Sequence, residues 1–349
     1  MRLTHILVPL LVAGLVGVPA GAAVAGDGSG PATPLSIMTR NLDLGSDLGP
    51  VLAATTPAGF LHGVSTVYDE IAASDIPDRA EGIAAEIGRS TPMVVSMQEV
   101  SLVQRLVPTS TGWTLVDQID QLGALQAALA RRGLDYTVAV DTHEFDVTVP
   151  SDTGPYVRLL DRDVILTRAD LPPQVFSVAN PRSGHFSHLL SLPTPVGPAV
   201  GTRGWASVDV TRLGTTVRVV DTHLESLSGA LAQAQAAELL AGPADTPLPV
   251  VVAGDLNSGP GTTTGAYDVL AGALTDTWPA TRPDNPGLTW ALFGEDGLPL
   301  QASPSRRIDV ILTRDLTAVT DVLVGIDDRT PSGRYPSDHA GVVARLAPR

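Results

Sequence analysis

Apolar runs that stop at paired polar residues recur along this chain and constrain its fold more than any bulk property. Pro249 to Ala253 stops at Gly254-Asp255-Leu256-Asn257, Met93 to Met97 at Gln98-Glu99, Thr216 to Val220 at Asp221-Thr222-His223, and Ser36 to Thr39 at Arg40-Asn41-Leu42-Asp43. Short apolar runs rich in β-branched residues read as strands. Residues i and i+2 of a strand project from one face, so Asn41 with Asp43, Asp221 with His223 and Asp255 with Asn257 can each aim two side chains into one cleft. Carboxylates, carboxamides and histidines converging there have the chemistry of metal-assisted phosphoester hydrolysis.

Strand-like and alanine-rich helical runs alternate from Leu35 onward. Helical periodicity falls on Arg79 to Gly88, Gln118 to Arg132 and Ala230 to Leu240; further strands fall on Tyr136 to Val140, Val164 to Leu166, Ala206 to Val210, Ile308 to Leu312 and Val342 to Leu346. Ala206 to Val220 reads as a hairpin turning at Leu213-Gly214. Two stretches rich in Pro and Gly, Asn180 to Gly204 and Trp278 to Pro304, read as long loops. The pattern is α/β, and no composition break divides residues 35–349, so a site built from both ends needs one domain.

Residues 1–25 are set apart from that pattern. Arg2, the apolar run Ile6 to Val18 and the small residues ending Ala23-Val24-Ala25 have the order of a secretory signal, which places the mature chain outside the cell. A membrane anchor is the alternative, but the apolar core is short for a span. Residues 26–34 form a Gly/Ser/Pro linker. The chain has no cysteine, which excludes a disulfide framework and a thiol-linked lipid. All 22 basic residues are arginine and the formal charge is -15, which supplies no general attraction for nucleic acid.

Each motif has a chemical and a plain structural reading. Asp255 can hold water or a metal and Asn257 can donate to a phosphate oxygen, or the pair closes its strand in an Asx turn. Glu99 is a hard-oxygen ligand suited to Mg²⁺, or a solvated strand end. Asn41 and Asp43 serve a phosphate and a metal, or start a turn before Gly45. His223 can donate to a phosphoryl oxygen as charge builds there. Asp309, inside an apolar strand, needs a partner; His339 is the natural one, since a carboxylate on one ring nitrogen raises the basicity of the other. Asp338, next to His339, can diverge from it and face the metal.

In this order, with Gly-Asp-Leu-Asn and a terminal Ser-Asp-His-Ala-Gly-Val, the motifs resemble the endonuclease/exonuclease/phosphatase superfamily, which includes pancreatic-type deoxyribonucleases, apurinic-site endonucleases, neutral sphingomyelinases and inositol-polyphosphate phosphatases. The resemblance runs from about Leu35 to Leu346. It implies a four-layered sandwich of two packed mixed β-sheets flanked by helices. It implies Glu99 as the principal Mg²⁺ ligand, with Mn²⁺ or Ca²⁺ as substitutes, supported by Asn41, Asp43 and Asp338. Asp255 and Asn257 position water and phosphate, His223 contacts the phosphate, Asp309 and His339 form a catalytic pair, and Thr289-Trp290 lines the substrate side. The implied partner is a phosphoester: nucleic acid first, then a phospholipid or a small phosphate ester. No stable protein partner is implied, and the chain is expected to be a monomer. There are two departures. Asp221 stands where many relatives carry Asn, adding negative charge near a phosphate, and Leu44 to Asp78 reads as an insertion that shapes the pocket.

Overall fold

In the computed structural model, which describes residues 34–293 and 304–349, the polar-ended runs become strands of two facing sheets. The first sheet has eight strands: β15 (Leu316–Val324), β16 (Gly341–Pro348), β1 (Leu35–Asn41), β2 (Val94–Gln98), β6 (Tyr156–Arg168), β3 (Leu102–Thr109) and β4 (Gly112–Asp120) in spatial order, with β5 (Tyr136–Pro150) also paired to β6. The second has six: β13 (Thr275–Asp276), β14 (Asp309–Arg314), β12 (Val250–Asp255), β11 (Thr215–His223), β10 (Gly204–Arg212) and β7 (Phe176–His185). A separate ribbon pairs β8 (Leu190–Thr194) with β9 (Gly197–Gly201). The helices are α1 (Gly49–Leu52), α2 (Pro57–Ala73), α3 (Ile76–Ser90), α4 (Gln121–Arg131), α5 (Gly229–Ala241), α6 (Ala266–Ala271) and α7 (Thr277–Thr281).

The central strands are mainly apolar because both faces are covered. Ile37, Val94 and Ile165 of the first sheet meet Val208, Val219, Val251 and Ile311 of the second. Their chain neighbours Met38, Val95, Val164 and Leu166 point the other way, onto Ile83 and Ile87 of α3 and Leu125 and Leu129 of α4. Val220, Val250 and Val252 face Ala232, Ala236 and Leu239 of α5 and Leu270 of α6. The result is four layers, helix, sheet, sheet, helix. Truncating Ile37, fully buried between the sheets, to alanine should cost about 2–5 kcal/mol.

Local signals set the helix boundaries. Thr56 caps α2 by accepting from Gly59 N–H at 3.1 Å, with Pro57 in the first turn. In α3, Asp75 caps, Pro77 follows, and Arg89 lies in the last turn, where a cation complements the helix dipole. The hairpin β10–β11 turns at Leu213 and Gly214, both at positive φ, as a two-residue turn between twisted strands requires.

Three expectations need correction. Asn180 to Gly204 is the end of β7 followed by the β8–β9 ribbon. An edge strand has one unpaired side, so it tolerates Pro181 and needs few apolar residues. The helix expected from Gln118 starts at Gln121, because Gln118 to Asp120 complete β4. Trp278 to Pro304 contains α7, and its residues 294–303 lie outside the described part. Leu44 to Asp78 folds into α1, α2 and the start of α3; Phe60, Val64, Val67 and Ile71 pack on Val103, Val157 and Leu159. The expected leader, and all of the linker but Pro34, also fall outside the described residues.

Candidate active site

Strand direction places the motifs on one rim. The parallel pair β1 and β2 ends there, with Asn41 opposite Gln98, and the parallel pair β11 and β12 ends there, with His223 opposite Asp255. Two antiparallel strands begin at the same rim: β14, with Asp309 opposite Asp255, and β16, just after His339. Gly254 is required where β12 passes β11, since a Cβ would lie 2.0 Å from Thr222 O.

Asp255 is the hub. Its Oδ1 accepts from Asn257 N–H at 2.8 Å, so the Asx turn is real. Its Oδ2 accepts from Asn41 Nδ2 at 3.1 Å and lies 3.6 Å from His223 Nε2 and 3.7 Å from His339 Nε2. One oxygen closes the strand and the other serves the cleft. Burial, with Asp309 adding to it against the opposing effect of His339, pushes the Asp255 carboxyl up to about 6.

Asn41 and Glu99 meet beside it. Asn41 Nδ2 donates to Glu99 Oε1 at 2.9 Å as well as to Asp255, so both amide hydrogens tie carboxylates together, whereas the motif by itself gives Asn41 to a phosphate and the resemblance gives it to support of the metal. Glu99 Oε2 accepts from Leu44 N–H at 2.7 Å. Burial and the like charges of Asp161, Asp338 and Asp43 push Glu99 up to about 8. Glu99 with the carboxylates of Asp338 and Asp43 makes a hard-oxygen set whose crowded like charges a divalent cation relieves. The residues present fit such an ion.

The two histidines differ in their neighbours. His339 Nδ1 is 2.8 Å from Asp309 Oδ2, and Thr289 Oγ1 accepts from the backbone N–H groups of Ile308 and Asp309 at 3.1 and 3.3 Å. Burial disfavours a charged His339, but Asp309, Asp338 and Asp255 outweigh it and hold its pKa well above the usual range. His223 Nδ1 is 2.7 Å from Arg203 Nη1, and its Nε2 is 3.1 Å from Asn257 Nδ2. Burial, Arg203 and His339 hold its pKa well below the usual range.

The remaining candidates line the margin. Asp43 accepts from Gly45 N–H at 2.7 Å and pairs with Arg79 at 3.2 Å. Asp338 Oδ2 accepts from Trp290 Nε1 at 2.9 Å, while its Oδ1 is 3.9 Å from His339 Nε2. Trp290 carries Arg306 over its ring at 3.9 Å. Ser337 Oγ donates to Asn41 O at 2.9 Å and accepts from His339 N–H at 3.1 Å, which fixes the last motif against the first.

Asp221 is not at the rim. It is fully buried between the sheets, accepts from Gln98 Nε2 at 2.6 Å, and has its pKa raised well above the usual range by burial. Burial thus disfavours a negative charge on Asp221, set back from the rim where a phosphate would lie. Glu144, Asp161 and Asp163 form the same inner layer, with burial the main cause of a raised pKa in each. The Asp161-Arg162-Asp163 triplet carried the same i, i+2 signal as the other motifs. Arg203 carried none, since a single arginine in a Gly-rich stretch reads as a solvated charge.

The sequence profile of the Endonuclease/Exonuclease/phosphatase family matches residues 56–339. The chain belongs to that family. Membership supports phosphoester hydrolysis as its broad chemistry. Among curated proteins no sequence relative matches. Solved structures share the endonuclease/exonuclease/phosphatase fold: truncated TDP2 from Caenorhabditis elegans has a TM-score of 0.55 at 18% identity, over 90% of this chain and 97% of that one. An endonuclease/exonuclease/phosphatase from Beutenbergia cavernae has 0.56 at 24% over 90% and 72%, and one from Bacteroides vulgatus 0.54 at 16% over 91% and 100%.

Proposed function

We propose that this chain is a Mg²⁺-dependent phosphodiesterase of nuclease type that attacks its substrate in line with water. The observation that carries this reading is the convergence of Glu99, Asp255, Asn257, His223 and the Asp309–His339 pair on one rim. Glu99, with Asp43 and Asp338 beside it, would hold the cation, which when bound supplies Lewis-acid stabilisation of phosphoryl charge.

The other roles follow from charge and position. Asp255, with its carboxyl at about 6, is ionised at neutral pH and takes a proton from water. His339, kept positive by Asp309, Asp338 and Asp255, faces the charge that builds on the phosphate and leaving group. His223 and Asn257 lie together on the other flank, where they orient a phosphoryl oxygen. Two titratable groups whose surroundings push them apart are the usual mark of a base and an electrophile.

A nucleic-acid strand is the preferred substrate. A neighbour of the same fold, TDP2 from D. rerio, was solved with a single-stranded DNA product, at 20% identity and a TM-score of 0.52. The order of residues 1–25 supports export, so we place the enzyme outside the cell.

The test uses bis-p-nitrophenyl phosphate and single-stranded DNA with Mg²⁺, with chelator, and with Mg²⁺ restored. Hydrolysis should vanish on chelation and return with the metal, and Glu99→Gln should lose about 10²-fold or more. Undiminished turnover in chelator, or a fully active Glu99→Gln, would reject the assignment.

A further inference from the structure

The backbone around Arg203 is stitched in place from three sides. Thr202 donates its N–H and its hydroxyl to Glu144 O at 2.9 and 2.6 Å, and Gly204 N–H donates to Glu144 Oε2 at 2.8 Å. Phe186 N–H donates to Arg203 O at 3.0 Å, and the Thr222 hydroxyl donates to Gly204 O at 2.8 Å. Glu144 is the odd residue of a bulge in β5, between His143 and Phe145, which turns it toward this segment. A buried carboxylate, a bulge and two strands thus hold one arginine.

From that anchor the guanidinium reaches His223 Nδ1 at 2.7 Å. A guanidinium has N–H groups alone and stays protonated, so at this separation Nδ1 is the acceptor. A neutral imidazole that accepts on one nitrogen donates from the other. The hydrogen therefore sits on Nε2, which faces the cleft 3.6 Å from Asp255 Oδ2. Asn257 Nδ2, 3.1 Å from that Nε2, is itself a donor and gives one hydrogen to Leu224 O at 3.0 Å. Two donors side by side with no acceptor between them are arranged for an anion that accepts from both.

We infer that Arg203 is a positioning residue that fixes His223 as the Nε2–H tautomer, so that His223 and Asn257 offer paired donors to one phosphoryl oxygen. The identity of that anion rests on the phosphodiesterase reading above; the tautomer does not. Without Arg203, Asn257 is free to donate to Nε2, and the ring hydrogen moves to Nδ1 on the side of Glu144 and Asp161. The donor facing the substrate is then lost although His223 is still present.

The experiment is nitrogen NMR of the full chain labelled with ¹⁵N-histidine, with His223→Gln used to assign the His223 signals among the seven histidines. In the parent, His223 should show a bare Nδ1 and a protonated Nε2. In Arg203→Met the hydrogen should move to Nδ1, and turnover of bis-p-nitrophenyl phosphate should fall about 10- to 10²-fold in kcat, with KM little changed. Arg203→Lys, which keeps a donor at the same place, should recover the tautomer and part of kcat. A parent with its hydrogen on Nδ1 overturns the inference without any variant having to fold. So does a folded Arg203→Met that keeps the Nε2–H signal, or one whose loss lies entirely in KM. A parent that cleaves no phosphoester refutes the proposed function, while the tautomer remains readable from the same spectrum.

Discussion

His339 and His223 stand on two flanks of the same carboxylate, 3.7 and 3.6 Å from Asp255 Oδ2, yet they carry opposite backing. Behind His339 lies Asp309; behind His223 lies Arg203. The two half-sites are built alike, each a parallel strand pair beside an antiparallel strand: β2, β1 and β16 in one sheet, β11, β12 and β14 in the other. Similar backbone therefore delivers one imidazole whose charged form is favoured by its neighbours and one whose charged form is disfavoured. The difference shows that the residue type at the rim does not assign the role; the group hydrogen-bonded to the far nitrogen does.

Removing the carboxylate backing is the harshest way to break that contrast. Asp309→Asn should lower kcat by about 10²- to 10⁴-fold, since it takes away the charge that favours the imidazolium and lets the amide turn an N–H donor toward the ring. Steady-state kinetics on a phosphodiester, with circular dichroism to verify folding, checks it. A loss under tenfold would mean His339 works without its partner. His223→Gln comes next, with a fall of about 10²-fold, the scale of one lost oxyanion donor. If it matched Asp309→Asn, the two flanks would not be acting differently.

The smallest effect on turnover belongs to the inner acid layer, where the readout is stability. Asp163 has two buried oxygens with no hydrogen-bond partner among the described residues, and its pKa is raised well above the usual range by burial and then by Glu144, Asp221 and Asp161. A carboxyl raised on folding binds its proton more tightly in the native state. The unfolded state then holds fewer protons, so this contribution is fully present below the ordinary aspartate pKa and fades as pH rises toward the folded value. Asp163→Asn should stabilise the fold by on the order of 1–3 kcal/mol at pH 8 and by less at pH 5, read as a larger rise in melting temperature at the higher pH. Equal shifts at both pH values would show that Asp163 is not protonated in the fold.

Legibility along the chain followed burial. The strands ending at Gln98-Glu99, Asp221 to His223 and Gly254 to Asn257 are covered on both faces, so their runs are mainly apolar, broken only by Ser96 and Arg218, and their polar ends stand out. Strands β7 to β9 are largely exposed and held mainly by backbone pairing, which leaves little side-chain pattern to read. Asp161 and Asp163 are visible as a polar pair, but the apolar run that marks the strand in the sequence begins at Val164, beyond them. Arg203 acquires meaning solely from His223, twenty residues on, across a hairpin whose register the sequence does not spell out.

Strand β16 lies inside its sheet, between β15 and β1, and the Ser337 hydroxyl that precedes it bonds to Asn41 O across 296 residues of chain. The centre therefore cannot be assembled piecemeal while the polypeptide is being made. Until residues 337–348 have emerged, β1 has a naked edge toward the missing strand and the rim lacks an imidazole. Competence should arrive in one late, cooperative event, governed by how fast distant segments find each other.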